Sequence, residues 1–145
     1  MGSIYKISSI NPDKMNNLMF PIVFCVGKAK ISKYTKGYTI LSLNEELSKR
    51  LLSYDQDKRY LHVTDEINNI IHSTEGPLLI TDFEILFDPE HQIDVLKLFV
   101  LLNRKKKITV LWPGKCEEDK LKFAEPGYQD YKVYKIKDYD VNCII

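Results

Sequence analysis

The amino-acid sequence predicts an α/β fold in which helices cover the faces of a mainly parallel sheet. Short apolar segments rich in β-forming residues alternate along the chain with amphipathic helical segments. The segment 77–88, P-L-L-I-T-D-F-E-I-L-F-D, supports this fold most directly. Its residues 78–80 predict a strand buried on both faces, and Asp82 and Glu84 follow at the carboxyl end, the edge where such sheets hold their functional groups.

Length and composition predict one folded domain. At 145 residues, with 44% hydrophobic and 28% charged residues, the chain is long enough to bury its own core. We divide it into an N-terminal extension (1–19), a sheet core (20–112) and a C-terminal strand region (113–145). No apolar run approaches the roughly 20 residues of a membrane helix, and no signal-peptide pattern begins the sequence. We therefore expect a cytoplasmic protein without membrane contact.

Most elements can be placed from their apolar periodicity. Strands are predicted at 20–26, 38–43, 108–112 and 131–136, with one more possible at 141–145. A first helix is predicted to begin at Asn44 as its N-cap, a second at Thr64, and a third at Asp88, with the basic run 104–107 closing the third. Trp112 ends one strand, where we expect it to pack rather than to line a ligand pocket.

Cysteine and histidine positions indicate no metal or disulfide framework. The cysteines are odd in number and far apart, at Cys25, Cys116 and Cys143. The histidines show no metal-ligand spacing, and we interpret each as a surface or helix-end residue: His62, His72 and His91. Neither residue type therefore predicts a catalytic metal centre.

The loop after the first strand partly matches a phosphate-binding loop. The template G-x-x-x-x-G-K-[ST] finds its first glycine at Gly27 and its lysine at Lys33, but Ser32 and Tyr34 occupy the second glycine and the hydroxyl position. A non-glycine residue keeps the backbone from wrapping the phosphates, and a phenol is too long to replace a small hydroxyl on Mg²⁺. No amphipathic helix fits within 27–37, which could form either a crossover or an antiparallel hairpin.

Charge is segregated although the net charge is only +1. Residues 60–96 contain eight acidic side chains but no lysine or arginine, and lysine and arginine residues flank them. These basic residues could contact DNA or another anion, or could simply be solvated: Lys28, Lys30, Lys36, Arg104, Lys105, Lys106 and Lys107. Such segregation also favours recognition of charged partners, including other copies of the chain.

Several stretches together resemble the BrxF family, the small P-loop proteins of type III BREX anti-phage systems. The resemblance covers about 38–131 and rests on these sequences: L-N-E-E-L-S-K-R-L-L (43–52), L-L-I-T-D-F-E-I-L-F-D-P (78–89), L-N-R (102–104), V-L-W-P-G (110–114) and K-L-K-F-A-E-P-G-Y-Q-D-Y (120–131). It implies a three-layer, P-loop NTPase-like fold. Members of the family carry G-P-P-G-S-G-K-[ST] followed by a full helix, so this chain resembles a version truncated by loss of that helix.

The resemblance also implies roles for particular residues. Gly27, Lys33 and Asp82 would bind nucleotide, with Asp82 on Mg²⁺ if nucleotide binds, and Glu84 would be the hydrolytic residue. V-L-W (110–112) would be the sensor strand, preceded by the family's asparagine-arginine pair at 103–104. Partners would be the large ATPase, the DNA methyltransferase and the alkaline-phosphatase-like protein of the system.

Three functions are consistent with the sequence. The first is a non-hydrolysing, P-loop-derived adaptor in a phage-defence assembly, in which Asp82 and Glu84 cap a strand end or contact a partner and no cofactor is needed. The second is an ATP-binding protein or weak ATPase with an atypical phosphate loop. The third is a subunit that contacts DNA through its basic clusters.

Overall fold

A computed structural model describes the whole chain, from Met1 to Ile145. Its nine strands are β1 Ser3–Tyr5, β2 Ile22–Phe24, β3 Thr39–Ser42, β4 Leu78–Thr81, β5 Ile108–Leu111, β6 Lys115–Glu117, β7 Lys120–Phe123, β8 Lys132–Lys135 and β9 Asn142–Ile144. Its helices are α1 Pro12–Asn16, α2 Lys28–Ile31, α3 Leu43–Leu51, α4 Val63–Ser73 and α5 Val95–Leu102. Short 3₁₀ helices lie at Ile7–Ser9, Gln56–Leu61, Glu84–Phe87, Pro89–His91 and Ile136–Asp138.

Six of the strands form one parallel sheet in the order β1-β9-β2-β5-β4-β3. All four residues of β4 are buried, as expected for a strand covered on both faces. The predicted mainly parallel α/β fold is therefore confirmed. The remaining strands, β6 to β8, form a separate antiparallel sheet, of which β6 and β7 were not predicted from the sequence.

The two faces of the parallel sheet are covered differently. The larger core cluster packs α3, α4, α5 and the small antiparallel sheet on one face. The smaller cluster, of eight buried residues, packs the segments 6–20 and 27–38 on the other. The arrangement is consistent with three layers, one of which is thin because α1 and α2 together contribute little more than two helical turns.

The parallel sheet extends beyond residues 20–112 at both ends. Residues 3–5, expected within an extension, form β1 and pair with β9. β9, from the far end of the chain, lies between β1 and β2. Gly2 packs so closely against residues 136–139 that a Cβ there would lie 2.0 Å from the carbonyl oxygen of Ile136. The N-terminal residues are thus part of the parallel sheet, as its edge strand.

One predicted helix cap, at Asn44, and one predicted helix start, at Asp88, are wrong. The helix expected to begin at Asn44 begins at Leu43, and the Asn44 side chain bonds to the segment after β4 instead of capping its own helix. The helix expected from Asp88 begins at Val95, where Asp94 accepts a hydrogen bond from the Lys97 amide. Asp88 caps only the 3₁₀ helix Pro89–His91, which is followed by Gln92 in the left-handed conformation. The basic run 104–107 follows the end of α5 instead of forming its last turn.

The connection between β2 and β3 is a crossover. β2 and β3 are parallel to β5 and β4 respectively, and these two strands lie between them. A hairpin is thereby excluded. In place of the long helix of a phosphate-binding unit, the connection contains only the single turn α2. No helix in the structure has both the length and the apolar character that crossing a bilayer demands.

Candidate functional site

The carboxyl ends of the parallel strands bring the predicted nucleotide-site residues to one edge of the sheet. Gly27 follows β2 and Asp82 follows β4, with β5 between these strands. Two strand spacings separate them, about 10 Å. The connection after β2 covers one face and that after β5 covers the other, so a crevice is expected between the two strand ends. This edge is the candidate functional site.

Asp82 is held by the neighbouring strand. Its Oδ2 atom accepts a hydrogen bond from the Ser42 hydroxyl at 2.8 Å. Its main-chain carbonyl oxygen accepts one from the backbone amide of Asn44 at 2.6 Å. Its φ is 50°, in the left-handed region that aspartate and asparagine tolerate better than most residues. Asp82 therefore joins the end of β4 to the β3–α3 junction.

Asn44 links the same two segments by its side chain. Its Nδ2 donates to Glu84 Oε2 at 2.7 Å, and its Oδ1 accepts from the Ile85 amide at 2.9 Å. Both ends of the amide are satisfied, and Glu84 is half-buried against it. Glu84 is thus engaged in a structural contact at the position where the resemblance implies a hydrolytic carboxylate.

The side chain of Tyr34 has a structural role in the loop after β2 instead of a role in binding phosphate. The side chain is only 3% exposed and packs with its ring centroid 6.2 Å from that of Phe24. Its hydroxyl donates to the carbonyl oxygen of Ile10 at 2.7 Å and, as a shared hydrogen bond, to that of Ile7 at 3.0 Å. The phenol therefore fastens the N-terminal segment to the sheet.

The other hydroxyls of this loop are also bonded to main-chain carbonyls. Ser32 donates to Ala29 at 3.4 Å, and Thr35 donates to Ile31 at 3.1 Å. The four lysines of the loop stay exposed, and the Lys33 amino group lies 5.0 Å from the Tyr34 ring centroid. The side chains present do not supply the small hydroxyl that holds Mg²⁺ in a P-loop, so they do not fit Mg²⁺-nucleotide in the expected manner.

The second basic cluster, 104–107, lies at the opposite edge, where β5 begins. Lys106 donates through Nζ to the Thr74 carbonyl, and Lys107 to that of Leu18. Burial lowers the pKa of the Lys107 amino group. Two of the four cations therefore hold the protein backbone, while Arg104 and Lys105 remain exposed. The structure does not bring Arg104 and Lys105 to the edge at which the loop after β2 begins.

The W-P-G motif serves packing. Trp112 is 5% exposed, and its Nε1 donates to the Lys122 carbonyl at 2.9 Å. A Cβ on Gly114 would lie 1.9 Å from that same oxygen, so only glycine fits there without a backbone shift. The motif joins β5 to the small sheet, and the prediction that Trp112 packs is confirmed.

The cysteines come together although they are distant in sequence. Cys25 directly follows β2, and Cys143 lies on the adjacent strand β9; the Cys25 Sγ atom is 4.0 Å from the Val23 carbonyl oxygen. The nearby Cys116 thiol lowers the pKa of Cys25, but the Cys143 thiol and burial outweigh that effect, so the Cys25 pKa is raised. The Cys25 contact and burial also raise the pKa of Cys116. All three thiols are free, and no group of three or more metal-ligating side chains converges in the structure.

No family model, curated protein or solved structure matches this chain. The site is therefore defined by its own geometry. The sequence identified Gly27, Asp82 and Glu84 at one edge, but it missed Ser42 and Asn44, which bond to the two carboxylates. Their position at the end of a strand adjacent to β4 was the signal that could have revealed them.

Proposed function

We propose that this chain is a non-hydrolysing, P-loop-derived adaptor of a BREX-type phage-defence assembly. The strand order supports a P-loop-derived core, because it gathers the ends of β2, β5 and β4 at one edge. The single observation that carries the non-hydrolysing role is Tyr34. Its buried hydroxyl is bonded to the carbonyls of residues 7 and 10, at the chain position where a phosphate loop needs a small hydroxyl on the metal.

The carboxylates support the same role. In a working ATPase, Asp82 would face the metal and Glu84 the attacking water. Here each accepts a hydrogen bond from the β3–α3 junction, through Ser42 and Asn44. In the proposed adaptor they keep the sheet edge rigid, so that the surfaces around it are presented to partners in a fixed arrangement.

The BREX context comes from the resemblance over about 38–131. The proposed partners are the large ATPase, the DNA methyltransferase and the alkaline-phosphatase-like protein, with further copies of this chain also possible, and the proposed location is the cytoplasm. Tagged chain expressed together with a type III BREX gene set should co-purify with at least one of these proteins. Co-purification of none of them, from cells in which all three are present, would contradict the adaptor function.

A weak ATP-binding role is the second candidate, and one observation favours it. Lys28, Lys30 and Lys33 are exposed in the loop after β2, and the space around Gly27 is open, since a Cβ added to this glycine would meet no other atom within 4 Å. Replacement cations of this kind could hold a triphosphate by charge alone.

Calorimetry with ATP and Mg²⁺ separates the two candidates. The adaptor proposal predicts no saturable heat for the wild-type protein, Lys33→Ala or Asp82→Asn. Micromolar binding that either substitution abolishes would instead establish the ATP-binding role. DNA contact is tested in the same preparation: retention on DNA should fall with salt and in Lys105→Ala only if phosphates are bound.

A further inference from the structure

A groove of about 900 Å³ lies on the helical face, outside the site just described. The end of α3, the 3₁₀ turn at 56–61 and the segment 85–92 form its walls. The segment 85–92 begins directly after Glu84, so the groove borders the rigid edge and shares with its hydrogen-bonded network only Ile85, whose backbone amide donates to Asn44. Its volume is in the range of sites that hold a small molecule or a short peptide segment.

The groove presents apolar surface that the chain itself does not cover. Leu52 is 70% exposed and Tyr60 is 42% exposed on its walls. Leu61, next in sequence to Tyr60, is 59% exposed. Leu51 and Ile85, more deeply placed, complete the apolar lining. Contiguous exposed apolar side chains around a concavity are typical of a binding surface.

Negative charge surrounds this apolar lining. Asp57, Asp88 and Glu90 line the groove, and none of them forms a salt bridge within the chain. Arg59 is the one lysine or arginine on the walls, and its Nε already donates to the Tyr54 carbonyl at 3.2 Å. An excess of carboxylates repels phosphate, so the groove is unsuited to a nucleotide or to DNA and is complementary to a cation.

One buried polar atom of the groove also lacks a partner. His91 Nδ1 is inaccessible to solvent and has no hydrogen-bond partner. Because that nitrogen is shielded from solvent in the open groove, a bound molecule does not reach it while the ring keeps this position. The accessible lining therefore offers apolar contacts and carboxylates that form no salt bridge.

We propose that this groove is the docking surface for a partner protein's segment in which lysine or arginine residues alternate with large apolar residues. The apolar side chains of that segment contact Leu52 and Tyr60, and its cations pair with Asp57, Asp88 and Glu90. The inference deepens the proposed adaptor function and rests on it, since it states which surface the adaptor uses and the chemistry of the partner that it binds.

Fluorescence anisotropy of a labelled peptide in which lysine and leucine residues alternate tests the groove on the intact protein. We expect saturable binding to the wild-type chain and none of the same peptide with glutamate in place of lysine. The double variant Asp57→Asn/Glu90→Gln should weaken binding about tenfold, as should Leu52→Ser. Asp88 is left intact because its Oδ1 caps the Glu90 amide.

A matched control removes two charges elsewhere. Asp13→Asn/Glu75→Gln neutralises exposed carboxylates on α1 and at the amino end of β4, and should change peptide affinity by no more than about twofold. Equal loss in the groove variant and this control would show non-specific charge attraction and overturn the proposal. So would absence of peptide binding to the wild type. Unchanged thermal midpoints exclude unfolding as the cause.

Two further outcomes separate the groove from the adaptor function. If the BREX partners co-purify equally well with Asp57→Asn/Glu90→Gln, the docking proposal fails while the adaptor function stands. If the wild type binds the peptide in the groove but co-purifies with none of those partners, the adaptor function fails and the groove remains. A dimer in sedimentation that the same double variant dissolves would assign the groove to a second copy and overturn the proposal.

Discussion

The loops after β2 and β4 leave the same edge of the sheet and are used in opposite ways. The loop after β2 inserts Tyr34 into the core and directs its hydroxyls to main-chain carbonyls. The loop after β4 keeps its carboxylates outside the core, where polar side chains of the β3–α3 junction bind them. The loop after β2 stabilises the fold by apolar burial, and the loop after β4 stabilises it by a hydrogen-bonded network.

In the proposed P-loop-derived adaptor, this difference accounts for why the segment after β4 resembles the BrxF sequences and the loop after β2 does not. Carboxylates at a strand end satisfy donors on the adjacent strand whether or not a nucleotide is present, so a structural role preserves them. A glycine-rich loop has no such second role, since its open backbone stabilises little without a phosphate. Residues that pack, as Tyr34 does, stabilise the thin face of the sheet instead.

The largest expected effect is at Tyr34. Tyr34→Ala should lower the free energy of unfolding by about 3–5 kcal/mol, since it leaves a cavity between Phe24 and the N-terminal segment. Tyr34→Phe should cost about 1–2 kcal/mol through the lost hydrogen bond. Urea denaturation measures both. Tyr128→Ala, at a 68% exposed tyrosine, is the control and should change stability by less than about 0.5 kcal/mol. An equally small change at Tyr34 would remove the contrast between the loops.

Asn44 should rank second. Asn44→Ala leaves the Ile85 amide and the Glu84 carboxylate without their partner, at a cost of about 1–3 kcal/mol. Hydrogen exchange at the Ile85 amide should become faster, which a general loss of stability would not confine to that site. Asn16→Ala, on an exposed asparagine of α1, should leave exchange at Ile85 unchanged. If the Ile85 amide in Asn44→Ala exchanged as slowly as in the wild type, the network would not be what holds this loop.

Asp82 should show a smaller effect. Asp82→Ala loses the acceptor for Ser42 and places alanine at a positive φ, for a cost of about 1 kcal/mol. Asp82→Asn keeps an acceptor and tolerates the conformation, so it should stay within about 0.5 kcal/mol of the wild type. Chemical denaturation of the two variants side by side is the measurement. A cost for asparagine equal to that for alanine would point to the charge rather than the hydrogen bond.

Substitution of Lys33 should have almost no effect on stability. Lys33→Ala removes an exposed cation that contacts only the face of the Tyr34 ring, so stability should change by no more than about 0.5 kcal/mol. Thermal denaturation checks this, with Lys36→Ala as the comparison on the same loop. A loss above about 1 kcal/mol, the upper end for exposed cation–π contacts, would show that the loop depends on its lysines as well as on its tyrosine.

Local pattern was enough for the central strands and for the helices with clear apolar periodicity. Strand β4 was predicted from consecutive apolar residues, and α4 began within one residue of its predicted start. The cap predicted at Asn44 was wrong because this side chain has a stronger tertiary partner. Asn44 has the chemistry of an N-cap, but the Ile85 amide and Glu84 across the strand gap compete for it successfully.

By itself, the sequence determined the alternation of strands and helices, the burial of β4 and the presence of two carboxylates at its end, because these depend on residues close together in the chain. Only the tertiary structure decided that the loop after β2 crosses the sheet, that β1 and β9 pair, and that Tyr34 faces residues 7 and 10. Those features join residues far apart in sequence, and their energies arise from packing and hydrogen bonds that no local pattern encodes. The carboxylates after β4 were visible in the sequence, but their partners at the β3–α3 junction were not.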